Sequence, residues 1–334
     1  MMGQVPDISI VIPVRNEAPA LDDLHRELAE TFRAWNRSYE IIVIDDGSTD
    51  ESFEILTRLQ ASDARLRVIR FRRNFGQTAA FAAGFEHARG RVIVTSDGDL
   101  QNDARDIPAM IETLERGYDI VCGWRKDRKD AFLSRRLPSM IANRLISIAT
   151  GVRLHDYGCS LKAFRADVVK PLKLYGEMHR FIPAIASEQG VSIAEVAVRH
   201  RARPHGRSKY GIGRTIRVVL DLLTVKFLLS YSTRPLQIFG LIGLAMVLPG
   251  LAIIGWLAFV RLMGVAGVWA AQAIGNRPLL LFGILLVFTG VQLLTLGLLA
   301  ELQARTYHES QNKPTYVIRE ILEAPVRSEV ARQA

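Results

Sequence analysis

The sequence predicts an α/β domain built on a mostly parallel sheet, followed by a two-helix transmembrane hairpin. Two observations carry this expectation. Short apolar runs alternate with segments of helical periodicity through the N-terminal two thirds of the chain. Two uncharged stretches, 235–260 and 278–300, then follow. Each exceeds the about 20 apolar residues that carry a helix across a bilayer core.

The strand candidates are 8–14, 40–44, 66–71 and 91–96, and residues 20–33 and 50–62 have helical periodicity between them. In an open sheet of this kind ligands bind outside the carboxyl ends of the strands. Polar clusters fall at those ends: Pro13-Val14-Arg15-Asn16-Glu17, Asp45-Asp46-Gly47-Ser48-Thr49-Asp50, and Ser96-Asp97-Gly98-Asp99-Leu100-Gln101. No GxGxxG follows a strand and no GxxxxGK[ST] occurs, which excludes a dinucleotide fingerprint and a P-loop. Residues 132–150 and 214–231 are basic and amphipathic, as expected of helices lying in a membrane interface. In the hairpin, Gly240, Gly243, Gly283, Gly290 and Gly297 offer places for close helix packing.

Charge sets the expected topology. Arg201, Arg203, Arg207, Lys209, Arg214, Arg217, Lys226 and Arg234 precede the hairpin, while Arg305, Lys313 and Arg319 follow it. The positive-inside rule then places the domain before the hairpin and both termini in the cytoplasm, with the membrane crossed twice. The expected organisation is a domain over 1–233, a hairpin over 234–304 and a tail over 305–334, in which no motif is legible. The N-terminus runs directly into the first strand, so no signal peptide is expected. Cys122 and Cys159 have no metal-ligand spacing and fit reduced thiols.

The formal net charge is +9, which fits nucleic acid, an anionic membrane or a phosphorylated substrate. The clustering of cations beside the hairpin, with no recognition motif or aromatic stacking platform, sets nucleic acid aside. Asp97 and Asp99, one residue apart at a strand end, can share a hard divalent cation with Gln101 as a further oxygen ligand. Such a cation neutralises charge on a diphosphate leaving group. A buried acid in the Asp45 cluster can accept from a nucleobase N–H or a ribose hydroxyl, with Ser48 or Thr49 capping the next helix.

Ile10-Val11-Ile12-Pro13 with Asn16-Glu17, Val43-Ile44-Asp45-Asp46-Gly47-Ser48, and Asp97-Gly98-Asp99-Leu100-Gln101 together resemble family 2 glycosyltransferases of the GT-A (nucleotide-diphospho-sugar transferase) fold. The likeness continues through Arg73-Asn74-Phe75-Gly76-Gln77, Gly123-Trp124-Arg125, the run from His155 to Ala163, and Gly206-Arg207-Ser208-Lys209-Tyr210. That ordered set resembles the polyprenyl-phosphate glycosyltransferases, including dolichyl-phosphate mannose synthases. The resemblance implies inverting transfer of one sugar from a UDP- or GDP-linked donor to polyprenyl (undecaprenyl) phosphate, with Mg²⁺ or Mn²⁺ and an oligomer such as a tetramer.

By the same resemblance, Pro13, Val14, Glu17, Asp45, Asp46, Gly76, Gln77 and Asp97 would bind the donor, and Asp97, Asp99 and Gln101 the metal. Asp97, Asp99, Asp156 and Arg125 would form the catalytic set, with Arg125 binding phosphate. Ser134, Arg136, Arg203, Ser208 and Lys209 would meet the lipid phosphate. A phosphate acceptor has a second pKa of about 6 and needs no proton removed before it attacks. Positioning and cationic stabilisation therefore matter more than a base. Asp156 stands where the family places a base, and it can equally orient Lys162 or an arginine. Two alternatives compete. A processive polysaccharide synthase would carry Gln-x-x-Arg-Trp, and none of Trp35, Trp124, Trp256 or Trp269 sits in one. A non-catalytic nucleotide-sugar-binding membrane scaffold is disfavoured by the complete acidic set Asp45, Asp97 and Asp99.

Overall fold

A computed structural model describes residues 5–126, 143–144, 146–147, 150–174, 176, 178–187, 189–201, 235–268, 275, 277–310 and 315–323. Two compact units result: Met1–Val225 with Pro314–Ala334, and Lys226–Lys313.

The first unit holds one eight-stranded sheet. In chain order its strands are β1 (Ile8–Val14), β2 (Tyr39–Asp45), β3 (Leu66–Phe71), β4 (Val92–Thr95), β5 (Ile120–Trp124), β6 (Lys162–Arg165), β7 (Ile193–Ala197) and β8 (Ile318–Leu322). The spatial order is β7-β5-β6-β4-β1-β2-β3-β8. Pairings β1–β2, β1–β4, β2–β3 and β5–β7 are parallel, whereas β6 and β8 pair antiparallel with their neighbours. Ile10, Val11 and Ile12 of β1 are consecutive and fully buried, as a strand covered on both faces requires.

Helices α1 (Leu21–Trp35), α2 (Ser52–Ser62), α3 (Gln77–His87) and α4 (Ile107–Glu115) join the central strands. Leu21, Leu24, Leu28 and Phe32 form the buried stripe that fixes α1 against the sheet. Asn36 ends it in a left-handed conformation, its N–H returning to Phe32 O. Short helices α5 (Ala166–Val169) and α6 (Ile182–Ser187) follow β6.

Two local expectations change. Helix α2 begins at Ser52, whose N–H donates to Asp50 Oδ1 at 3.1 Å, so neither Ser48 nor Thr49 caps it. Ser48 and Thr49 instead tie down the loop after β1: Asn16 N–H donates to Ser48 Oγ and Thr49 N–H donates to Asn16 Oδ1. Gly47 permits this turn, with φ +66° and backbone atoms of Arg73 and Asn74 where a Cβ would stand. The second change concerns the C-terminal segment. Residues beyond the hairpin return to the first unit as β8 and extend its sheet beside β3. Tyr316 stacks on Phe71 at 5.1 Å between centroids and donates to Glu86. Glu323 pairs with Arg67 and Arg89.

The second unit contains α7 (Pro235–Val265) and α8 (Pro278–Ser310). Within them Phe239–Val265 and Pro278–Ala300 are long and apolar enough to cross a membrane. Gly243 faces Gly290 and Gly250 faces Gly283, so the helices run antiparallel. A Cβ on Gly290 would lie 2.6 Å from Gly243 O, so only the absence of side chains permits this approach. Leu241, Leu248, Trp256, Leu281 and Phe282 are exposed, as lipid-facing residues would be.

Of the two expected interfacial helices, 214–231 lies outside the described residues, as does most of 132–150.

Candidate active site

Neighbouring strands β4, β1 and β2 bring Ser96-Asp97, Pro13-Val14 and Asp45-Asp46 to one edge of the sheet. Asp97 is half-buried and held from both sides. Gln77 Nε2, at the start of α3, donates to its Oδ1 at 2.8 Å, and Ser160 Oγ donates to Oδ2 at 2.6 Å. Asn102 Nδ2 donates to the same Ser160 hydroxyl at 2.9 Å. Thr95 Oγ1 donates to Ser160 O, which fixes the loop before β6 against β4.

Asp99 is also half-buried, and its Oδ1 accepts from Gln101 N–H at 3.2 Å. Leu100 between them has φ +61°, a left-handed backbone that costs an ordinary L-residue roughly 1–2 kcal/mol. Its buried side chain anchors the turn. Gln101 Nε2 reaches Arg201 O at 3.4 Å, leaving the amide oxygen as an acceptor. Each Asp97 oxygen takes one hydrogen bond and so keeps acceptor capacity for a cation. No group of three or more His, Cys, Asp or Glu among the described residues is placed to hold an ion. The side-chain oxygens of Asp97, Asp99 and Gln101 are of the kind a hard divalent cation takes, and substrate phosphates and water would have to complete such a ligand set.

Asp45 and Asp46 are adjacent and do different work. Asp46 takes Phe75 N–H at 2.7 Å, Gly76 N–H at 3.0 Å and Asn74 Nδ2 at 2.9 Å. Burial raises its carboxyl above the usual range against these hydrogen bonds. It therefore shapes the turn that delivers Gly76 and Gln77. Asp45 is fully buried; its Oδ1 accepts from Ser48 N–H at 2.9 Å, while its Oδ2 has no hydrogen-bond partner. A buried acceptor left in this state is costly unless a ligand supplies the donor. Pro13 is half-buried and Val14 buried beside it, and Glu17 N–H donates to Ser52 Oγ.

Arg125 and Asp156 form a bidentate pair, with Nε to Oδ2 at 2.6 Å and Nη2 to Oδ1 at 2.9 Å. Burial works against the Arg125 charge, but the Asp156 carboxylate outweighs it and keeps the guanidinium protonated. Of the two orienting roles open to Asp156, the arginine is the one occupied. Lys162 is buried and donates to Cys159 O at 2.5 Å and Tyr157 O at 3.4 Å, supporting the same loop from below. Glu195 accepts from the N–H groups of His155 and Asp156. Burial pushes the thiols of Cys122 and Cys159 up to about 12 and about 11, which leaves both unreactive.

Sequence reasoning missed Ser160, Asn102 and Glu195. Ser160 lies inside a quoted motif, but only the β4–β6 pairing shows that it faces Asp97. The acceptor-side expectations Ser134, Arg136, Arg203, Ser208 and Lys209 lie outside the described residues.

This arrangement, two acidic strand-end loops on a mostly parallel sheet, is that of the GT-A glycosyltransferases. Glucosyl-3-phosphoglycerate synthase from Mycobacterium tuberculosis, in complex with Mn²⁺ and UDP-glucose, superposes with a TM-score of 0.52 at 20% identity, over 66% of this chain and 79% of that one. Mannosyl-3-phosphoglycerate synthase from Rubrobacter xylanophilus gives 0.53 at 13% identity, over 66% and 74%. The profile described as Glycosyl transferase family 2 matches residues 9–172. The dodecaprenyl-phosphate galacturonate synthase of Rhizobium johnstonii is 45% identical over 95% of this chain and 93% of its own. The undecaprenyl-phosphate 4-deoxy-4-formamido-L-arabinose transferase of Pseudomonas paraeruginosa is 38% identical over 95% and 91%. The chain belongs to glycosyl transferase family 2, in its polyprenyl-phosphate sugar-transferase group.

Proposed function

We propose that this enzyme transfers one sugar from a nucleotide-sugar to a polyprenyl phosphate at the cytoplasmic face of a bacterial inner membrane. The observation that carries the reading is the 45% identity to a dodecaprenyl-phosphate galacturonate synthase over 95% of this chain. A uronic acid is accordingly the first donor sugar to test.

Asp45 offers its Oδ2, which has no hydrogen-bond partner, to an N–H or O–H of the donor nucleoside, beside Pro13, Val14 and Glu17. Gly76 and Gln77 complete the donor side. A divalent cation held by Asp97, Asp99 and Gln101, Mg²⁺ or Mn²⁺, would offset the negative charge of the leaving diphosphate. Gln77 and Ser160 hold Asp97 at a fixed orientation. Arg125, locked by Asp156, presents a fixed guanidinium to phosphate oxygens. The acceptor is ionised, so its oxygen attacks the anomeric carbon directly and the product is inverted. Ser134, Arg136, Arg203, Ser208 and Lys209 are assigned to the lipid phosphate on the family resemblance alone.

The sheet also supports the topology. The chain leaves the first unit, forms two membrane-length helices and returns to pair β8 with β3. An even number of crossings returns it to the side it left. A screen of UDP- and GDP-linked sugars with undecaprenyl phosphate, read by mass spectrometry of extracted lipid, tests the proposal. One donor giving a single-sugar lipid phosphate supports it; donor polymerised without lipid contradicts it.

A further inference from the structure

Asp45, Arg70 and Glu320 stand side by side on three adjacent strands. Asp45 is the register partner of Arg70 across the parallel β2–β3 pair, and Arg70 is the register partner of Glu320 across the antiparallel β3–β8 pair. Directly paired residues on adjacent strands project from the same face, so the three side chains form one row. Arg70 Nη1 donates to Glu320 Oε1 at 3.2 Å, and its Nε lies 3.7 Å from the Asp45 oxygen that lacks a hydrogen bond. The guanidinium sits over the Phe53 ring at 3.8 Å, so α2 closes one side of the row.

The consequences follow from the charges. A carboxylate as buried as Asp45 is expensive unless a charge or a hydrogen bond compensates it. Arg70 offsets that cost through charge while staying beyond hydrogen-bond distance, so the oxygen remains open to a donor group on the ligand. An arginine side chain has other rotamers; the Glu320 carboxylate and the Phe53 ring select this one. Before β8 is added, β3 would be the edge of the sheet and Arg70 would face solvent on that side.

We propose that Glu320 is a positioning residue for the nucleotide-sugar: acting through Arg70, it keeps the charge beside Asp45 in place and its open oxygen aimed, so the segment beyond the membrane helices completes the donor pocket. This inference rests on the reading of Asp45 as a donor-binding residue. It gives the C-terminal segment a role in substrate affinity, and it makes donor binding depend on correct return of the chain from the hairpin.

The test uses the full chain in detergent, with binding of UDP and of GDP in Mn²⁺ by calorimetry and donor KM and kcat with the accepted sugar. Glu320→Gln should weaken nucleotide binding and raise donor KM about fivefold, within the about 2- to 30-fold span of couplings carried through intermediate residues, with kcat nearly unchanged. Glu323→Gln removes a carboxylate from the end of the same strand, where it meets Arg67 and Arg89, and should leave donor KM unaltered. The exchange Arg70→Glu with Glu320→Arg restores an ion pair between β3 and β8 but sets an anion beside Asp45. It should stay defective in binding even if thermal stability returns. Unchanged affinity in Glu320→Gln with a defect in Asp45→Asn would overturn the inference and leave Asp45 in its role. Unchanged affinity in Asp45→Asn would overturn both. Recovery of affinity in the charge exchange would reduce the row to a structural contact, also overturning it.

Discussion

Replacing Asp156 with Asn probes the most fully enclosed ion pair at the site. Asp156 and Arg125 side chains are 5% and 13% exposed, and the carboxylate makes both guanidinium contacts as well as accepting Gly158 N–H at 3.1 Å. Removing one partner of a buried pair costs about 3–5 kcal/mol. Asn keeps one carbonyl acceptor, which places the expected loss near the lower bound, about 3 kcal/mol. For a domain of this size each kcal/mol lowers Tm by about 2–4 °C, so a fall of roughly 6–12 °C is expected by differential scanning fluorimetry. Turnover should fall about 100-fold, because a misplaced phosphate-binding group costs on that order. The decisive comparison is the double variant with Arg125→Gln. If Asp156 acts through Arg125, the double variant is no slower than Arg125→Gln alone. An Asp156→Asn protein with unaltered Tm and turnover would refute the reasoning. Lost turnover at unaltered Tm, additive with Arg125→Gln, would instead make Asp156 a general base.

Three further outcomes are expected. Asp99→Ala should abolish lipid-product formation and weaken Mn²⁺ binding by the purified protein, while nucleotide binding without metal survives; full turnover would remove Asp99 from the metal set. Gly290→Ala sets a methyl group against Gly243 O and Val247, so it should destabilise the second unit by about 1–3 kcal/mol, read as earlier loss of monodisperse protein on heating in detergent. Asp63 and Asp103 are held well below the ordinary carboxylate range: burial opposes this in both, but His25 and Arg65 outweigh it for the first, Arg105 and Arg201 for the second. A depressed folded-state pKa gives stability that is complete above the unfolded value, about pH 4, and lost as pH falls below it. Thermal unfolding should therefore steepen in its pH dependence below about pH 4, and Asp103→Asn should flatten it.

Much of the catalytic half was legible because its strands carry their own signal. β1 and β2 carry apolar runs ended by polar clusters, and these clusters lie together with that of β4 because β4, β1 and β2 are neighbours. What the sequence hid are contacts that only pairing creates. Ser160 meets Asp97 just past the end of the β4–β6 ladder, and Glu195 braces the loop before it from β7. β8 was the least readable element. Five residues with one acid and one arginine, followed by Glu323, look like a solvated tail, and the two acids acquire meaning only against Arg67, Arg70 and Arg89. Asp46 shows the converse limit. Its motif pointed toward the donor, yet its carboxylate is spent on the backbone of the turn before α3.

The central claim is transfer of one sugar to a lipid phosphate, and its most direct test is stoichiometry. Purified enzyme in liposomes would receive one nucleotide-sugar and Mn²⁺, with or without undecaprenyl phosphate, and released nucleoside diphosphate would be counted against lipid-linked sugar. The account predicts one diphosphate per lipid-linked sugar, and no release when the lipid phosphate is withheld. Release independent of the lipid, or several sugars on one acceptor, would contradict it.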